Sequence, residues 1–79
     1  MFLIVPDPAH GLVAAPESPR DLTPVTTQFL TAQGFAWNDD IQAYTRRTDQ
    51  SPTAVDRIAG VLRDLGHYVF CAHRPLPTR

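Results

Sequence analysis

Continuous apolar runs mark the two ends of the chain. Residues 2–5 (Phe-Leu-Ile-Val) are all apolar, and a Pro-Asp-Pro sequence closes the run. Proline removes a backbone donor from a sheet, so this pattern predicts a buried strand that stops at Pro6. Residues 68–72 (Tyr-Val-Phe-Cys-Ala) form a second run of this kind. The chain is therefore expected to begin and to end its ordered part with a strand.

Two helices are predicted between these strands. Thr23 is followed by Pro24, and Gly34 lies ten residues after that proline. An N-cap, a first-turn proline and a terminating glycine at these positions predict a helix over residues 24–33. Ser51 is also followed by proline, and Gly66 ends the second segment. In that segment apolar residues recur at spacings of three and four, as an amphipathic helix requires: Val55, Ile58, Ala59, Leu62 and Leu65.

A β-hairpin is predicted between the two helices. Residues 35–37 and 43–46 flank the cluster Asn-Asp-Asp at 38–40, and such side chains favour turns by bonding nearby backbone amides. Phe35 and Trp37 share one strand face by the period of two. The end of the second strand, at Arg46 or Arg47, is then free to face solvent.

The segment 6–23 is rich in proline and shows no clear periodicity. Prolines stand at 6, 8, 16 and 19, and the apolar residues 12–15 interrupt the segment. Loops of this length are uncommon in compact domains and often serve function, so we interpret 6–23 as an ordered loop or arm. Residues 74–79 form a short proline-punctuated tail.

The predicted order β-α-β-β-α-β indicates an α+β fold with two layers in one domain over 1–79. It suits a ferredoxin-like arrangement, or a related antiparallel sheet with two helices on one face. A ferredoxin-like sheet would place the strand at 42–46 near its centre, although that strand is the most polar and suits an edge. A different α+β sheet with the same element order, or a first strand that pairs with a neighbouring subunit, stays open as an alternative.

Composition narrows the class of protein. The chain has 79 residues, 43% hydrophobic and 19% charged, with a net charge of -1 and a pI near 6.2. Such a balance lacks the overall positive field that draws proteins onto nucleic acid or anionic lipid. A single cysteine excludes an intramolecular disulfide, and neither a secretory signal nor an apolar run of membrane-spanning length is present. A cytoplasmic protein that does not bind membranes is the expectation.

Catalytic and metal chemistry find little support. His67, Cys71 and His73 share one strand face by parity, but the remaining histidine, His10, lies in the arm and no paired-ligand motif occurs. Cys71 sits within an apolar run, where thiolate character is low. The acidic pair at 39–40 is explained by turn geometry. We therefore expect no catalytic residues, no metal, no cofactor and no enzymatic activity.

Excess apolar surface favours an interaction module. The last strand is apolar on both faces, whereas two short helices cover one face of a sheet, so the arm or a partner must cover the other. Either arrangement is compatible with the sequence. The predicted partner is a second copy of the chain or another protein, and the predicted contact residues are Tyr68, Phe70, Leu12 and Val13.

The alternative is a small nucleic-acid-binding regulator. Aromatic side chains can stack on bases while arginines hold phosphates, and the hairpin carries both residue types. This surface would use Trp37, Tyr44, Arg46 and Arg47, with Arg57 or Arg63 in support. The overall charge does not favour this alternative.

The central part of the chain is similar to small uncharacterised actinobacterial α+β proteins, some of them carried by plasmids and phages. The resemblance covers about half of the chain. It lies in Phe29-Leu30-x-x-x-Gly34-Phe35-x-Trp37, in Tyr44-x-Arg46 and in Leu65-Gly66-His67-Tyr68-Val69. All seven basic residues are arginine, which is typical of a high-GC genome. The resemblance implies an accessory or regulatory role and assigns no site residues.

Overall fold

The computed structural model describes residues 1–72 and is an α+β fold with a five-stranded mixed sheet and two helices. The predicted two-layer α+β class is confirmed. The elements are β1 (Phe2–Asp7), β2 (Gly11–Pro16), a 3₁₀ helix (Pro19–Asp21), α1 (Pro24–Ala32), β3 (Ala36–Asn38), β4 (Ala43–Arg46), α2 (Pro52–Asp64) and β5 (Val69–Cys71). Strands run in the order β3-β4-β2-β1-β5, and the pair β1 and β5 is parallel while the others are antiparallel.

The proline-rich segment is not an arm. Its apolar residues form β2, which pairs with β1 over six residues and with β4 on its other side. This strand lies in the middle of the sheet, so the observed element order has one strand more than predicted. The extra strand also explains the polar composition of β4. Strand β4 lies next to the edge of the sheet, and β1 and β2 occupy the more central positions.

Proline is tolerated inside β1 because of the direction in which its nitrogen points. The N–H of Phe2 donates to the carbonyl of Tyr68 at 2.8 Å, so alternate residues of β1 direct their backbone groups towards β5. Pro6 belongs to that set, but β5 pairs only with residues 2–4. No donor is required at Pro6, and the strand continues to Asp7 instead of stopping as predicted.

Close approach of β2 and β4 depends on Gly11. This residue has a φ of +86°, and a Cβ there would lie 2.3 Å from the carbonyl oxygen of Arg46. Only glycine fits both the backbone conformation and the space. The preceding turn is held by Asp7, whose carboxylate accepts the N–H groups of Ala9 and His10. These hydrogen bonds lower the pKa of Asp7, and the one from Ala9 has the largest effect.

Both helices begin where the sequence predicted. The hydroxyl of Thr23 accepts the N–H of Thr26, and the hydroxyl of Ser51 accepts the N–H of Ala54. Each helix contributes to one core on the same face of the sheet. Its fully or nearly fully buried members are Phe2, Ile4, Leu12, Ala14, Leu30, Phe35, Val55, Ile58 and Leu62.

The opposite face of the sheet carries a second, smaller apolar cluster. Within residues 1–72 its members all come from strands or from the residue that follows β5, so neither helix contributes to it. Val5, Val13 and Ala43 form its centre, with Leu3, Ala15 and Ala72 packed around them. We call this side of the sheet the strand face, to distinguish it from the helix face.

Candidate interaction surfaces

Strand β5 lies at one edge of the sheet. The N–H of Ala72 donates to the carbonyl of Ile4 at 2.9 Å, and the carbonyl of Tyr68 accepts from Phe2. Backbone groups alternate in direction along a strand, so those of Val69 and Cys71 point away from β1. Within the described residues no strand pairs with this outer side. The edge therefore presents backbone groups that no other strand of the described residues pairs with, and such edges in general favour pairing with further strands.

Two aromatic side chains stand exposed beside this edge. Tyr68 is 83% exposed and Phe70 is 60% exposed, whereas Val69 and Cys71 pack against the core. Residues two apart in an extended segment share a face, so Tyr68 and Phe70 both lie on the strand face. We name them the Tyr68–Phe70 surface. Aromatic rings contribute large apolar areas and are enriched where proteins meet.

Arg63 partly closes the backbone edge of β5. From the last turn of α2, its Nη2 atom donates to the outward carbonyl of Val69 at 3.2 Å and lies 4.0 Å from Sγ of Cys71. A strand that paired at this carbonyl would have to displace the guanidinium group. The contact therefore favours association through the aromatic side chains over addition of a strand to the edge.

The two predicted contact residues on β2 are not exposed. Leu12 is fully buried in the main core, which places it out of reach of a partner. Val13 points to the strand face but is less than a tenth exposed. The prediction assumed an arm, whereas a central strand directs its side chains into the two apolar clusters. Of the four predicted contacts, Tyr68 and Phe70 are the accessible ones.

The hairpin of β3 and β4 brings Trp37 and Tyr44 together. They are cross-strand partners, and their rings meet edge to face with centroids 5.2 Å apart. The indole N–H of Trp37 donates to a carboxylate oxygen of Asp39 at 2.6 Å. The N–H of Asp40 donates to the side chain of Asn38. The side chains of this acidic cluster therefore stabilise the turn, and the carboxylate of Asp39 lies at the edge of the indole ring.

At the end of β4, which was predicted to face solvent at Arg46 or Arg47, Arg46 is half-buried. Its guanidinium lies 4.9 Å from the centre of the Phe35 ring and donates to the carbonyls of Gln33 at 2.9 Å, Thr48 at 3.0 Å and Asp49 at 3.3 Å. The side chain ties β4 to the end of α1 and to the loop before α2. Arg47 is exposed. Of the predicted nucleic-acid-binding residues, Trp37 and Tyr44 are therefore in contact, whereas the guanidinium of Arg46 bonds backbone carbonyls.

A pocket of about 310 Å³ opens beside Trp37, and the sequence did not indicate it. One wall comes from the loop after β2 and the other from the hairpin, so its residues are far apart in the chain. Its lining residues are mostly apolar and include one acidic residue: Pro16, Glu17, Ser18, Pro19, Leu22, Trp37 and Gln42. We call it the Trp37 pocket. The carboxylate of Glu17 is its only ionisable group within the described residues.

Asp21 holds the loop that forms this wall. One carboxylate oxygen accepts the N–H groups of Glu17 at 3.1 Å and of Ser18 at 3.2 Å. The other lies 2.8 Å from the terminal ammonium group of Met1. The hydrogen bond from that ammonium group is the largest cause that lowers the pKa of Asp21, and the two backbone N–H groups add to it. The wall of the pocket is therefore built before any ligand arrives.

The histidine and cysteine side chains of the described residues lie in separate places. Nε2 of His67 lies 2.7 Å from the hydroxyl of Thr26, and Cys71 is partly buried against the core. His10 lies in the turn before β2, and His73 falls outside the described residues. Within residues 1–72, no three side chains of His, Cys, Asp or Glu are grouped so that they could hold a metal ion.

No protein-family model, curated protein or solved structure matches this chain. The resemblance to small actinobacterial proteins therefore stays a prediction. No helix in residues 1–72 has the length and apolar character needed to cross a membrane.

Proposed function

We propose that this chain is a small cytoplasmic protein-interaction module without enzymatic activity, and that it associates with a second copy of itself through the Tyr68–Phe70 surface. One observation carries the proposal. Two aromatic side chains, 83% and 60% exposed, lie next to each other at an outer strand. Solvent contact with two such rings has a free-energy cost that a partner surface relieves.

A two-fold axis beside β5 would bring four of these rings together, two from each copy. Fully burying one large apolar side chain stabilises by roughly 1.5 to 3 kcal/mol, whereas association itself costs about 4 to 15 kcal/mol. The rings alone therefore support a weak dimer that depends on concentration. Contacts from the neighbouring strand face, such as Leu3, would add to the interface.

Light scattering over a dilution series tests this proposal. The wild-type chain is compared with Phe70→Thr, which keeps a residue that favours strands, and with Val25→Thr as a matched control. Val25 is 58% exposed on α1, so its substitution makes an exposed apolar residue polar at a position away from β5. We expect wild type and Val25→Thr to dimerise with the same concentration dependence. Phe70→Thr removes two rings from each dimer, so it should dimerise at least about a hundredfold more weakly. A wild-type chain that stays monomeric at every concentration would refute the proposal.

The second candidate function, a nucleic-acid-binding regulator, rests on the cross-strand pair of Trp37, which is partly exposed, and Tyr44, which is half-buried. It would have to use Arg47, with Arg57 or Arg63, because Arg46 is engaged with three backbone carbonyls. The carboxylates of Glu17 and Asp39 lie beside Trp37, where they repel phosphate.

Titration with a single-stranded oligonucleotide at two salt concentrations distinguishes the two functions. A nucleic-acid regulator predicts binding that weakens steeply with salt and falls further in Arg47→Ala. The interaction module predicts neither effect. Arg47→Ala is the informative variant, since replacement of Arg46 would also disturb the loop that its guanidinium holds.

A further inference from the structure

We infer that the Trp37 pocket binds the guanidinium group of an arginine side chain on a partner polypeptide. The pocket combines the three surfaces that such a group needs. The indole of Trp37 offers an aromatic ring, Glu17 offers a carboxylate, and Leu22 with the two prolines offers apolar walls. This site is separate from the Tyr68–Phe70 surface, because β3 and β5 lie at opposite edges of the sheet.

The charge around the pocket selects a cation. Within the described residues its lining includes the acidic residue Glu17 and no basic residue. Asp39 adds a second carboxylate at the ring edge, where it accepts the indole N–H at 2.6 Å. That hydrogen bond fixes the ring and places negative charge next to it, which strengthens the attraction between the ring and a cation. An anionic ligand would be repelled by both groups.

The shape of the pocket favours arginine over lysine. A guanidinium group is planar, stacks on aromatic rings and can donate two parallel hydrogen bonds to a carboxylate. The aliphatic part of the side chain can lie along Leu22, Pro16 and Pro19. A volume of about 310 Å³ is at the lower end for ligand sites, which suits one side chain better than a cofactor.

The loop that carries Glu17 is ordered in advance. Asp21 accepts the backbone N–H groups of Glu17 and Ser18, and the N–H of Glu17 also lies 2.8 Å from the carbonyl of Met1. These contacts use the backbone of Glu17 and leave its carboxylate available to a ligand. The carboxylate can therefore be neutralised in a variant without removing the contacts that hold the loop.

Trp37 is the only tryptophan of the chain, so its fluorescence reports on this pocket directly. The probe is the blocked tripeptide Gly-Arg-Gly, compared with the same peptide in which uncharged citrulline replaces arginine. Free L-arginine is a third probe, because it separates a polypeptide ligand from the free amino acid. The titrations use dilute protein, so that dimer formation at β5 does not contribute to the signal.

We expect the arginine peptide to change the Trp37 emission in a saturable manner and the citrulline peptide to bind at least about tenfold more weakly. Glu17→Gln should weaken binding of the arginine peptide to a similar extent. Asp40→Asn is the matched control, since it removes a carboxylate from the same hairpin turn but outside the pocket lining, and its binding should stay within about twofold of wild type.

Three results would overturn this inference. They are equal binding of the arginine and citrulline peptides, unchanged binding in Glu17→Gln, and tighter binding of free L-arginine than of the peptide. A urea unfolding curve of Glu17→Gln that overlies wild type excludes misfolding as the cause of lost binding. A dimerisation that fails at β5 leaves this titration unaffected, so the two proposals succeed or fail independently.

Discussion

The hydroxyl of Thr26 lies 2.7 Å from Nε2 of His67, and this contact joins the first turn of α1 to the segment that enters β5. Thr26 is fully buried and also accepts a hydrogen bond from the hydroxyl of Thr23 at 2.9 Å. The ring of Phe2 meets His67 edge to face, with centroids 5.0 Å apart. Because Tyr68 follows directly, this polar link anchors the start of the Tyr68–Phe70 surface.

Thr26→Val tests the strength of that link. Valine has nearly the shape of threonine but no hydroxyl, so Nε2 of His67 loses its partner in a partly buried site. We expect a loss of about 1 to 3 kcal/mol in the free energy of unfolding, measured by urea denaturation. Thr27→Val is the control, because the Thr27 hydroxyl donates to Pro24 at an exposed position. Equal losses in the two variants would contradict a special role for the contact with His67.

Gly11→Ala should disrupt the sheet at the junction of β2 and β4. The new Cβ would meet the backbone of Arg46 and Arg47 at 2.3 to 2.9 Å, and the φ of +86° is unfavourable for alanine. Since backbone atoms cannot move aside as a flexible side chain can, we expect destabilisation by about 3 kcal/mol or more. Thermal unfolding followed by circular dichroism measures the effect.

Gly60→Ala is the matched control for that substitution. Gly60 lies inside α2, and no atom comes within 4 Å of the position of an added Cβ. Alanine should stabilise the helix by about 0.5 to 1 kcal/mol, because it restricts the unfolded chain. The same direction of change in the two glycine variants would contradict the geometry described for Gly11.

Asp21→Asn should cost stability in a manner that depends on pH. The pKa of Asp21 is lowered from its ordinary value of 3.8 in the folded chain, so the carboxylate contributes stability that is fully present above that value. This contribution is lost as the pH falls through the lower, folded-state pKa. We expect the variant to be less stable by about 1 to 2 kcal/mol near neutral pH.

Urea midpoints at several pH values measure this dependence. The difference between wild type and Asp21→Asn should stay constant from neutral pH down to about pH 5 and should shrink below about pH 4. Asp40→Asn removes an exposed carboxylate and should change stability by less than about 0.5 kcal/mol throughout. A difference that grows on acidification would show that Asp21 is not stabilised as a carboxylate.

Arg63→Ala should open the outer edge of β5. The substitution frees the outward carbonyl of Val69, and exposed strand edges promote pairing between chains. We expect larger assemblies than the wild-type chain forms in sedimentation velocity, with a fraction that increases with protein concentration. Arg57→Ala removes the same charge from an exposed position elsewhere on α2 and should behave as wild type. If both variants form the same assemblies, loss of charge is the cause and edge protection by Arg63 is disproved.

The helices were predictable because their signals are local. Thr23 and Ser51 are followed by proline and cap the next turn with their own side chains, and this chemistry needs only neighbours in sequence. The apolar spacing of α2 and the runs that became β1 and β5 are local as well. The last strand is apolar on both faces, which indicated that the arm or a partner must cover one of them, and in the structure Tyr68 and Phe70 are exposed.

Strand β2, the inward turn of Arg46 and the Trp37 pocket depend on contacts between distant segments. The pattern of residues 11–16 indicated an irregular loop because prolines flank them. Pro6 nevertheless does not disrupt the sheet, because β5 does not extend to that position. Arg46 bonds the carbonyls of Thr48 and Asp49, which are close in sequence, and that of Gln33, which only the fold brings near it. The sequence by itself determined the helices, most strands and the two-layer class. Strand order, the residues that reach solvent and the pocket were decided by tertiary structure, because pairing and burial depend on which segments meet in space.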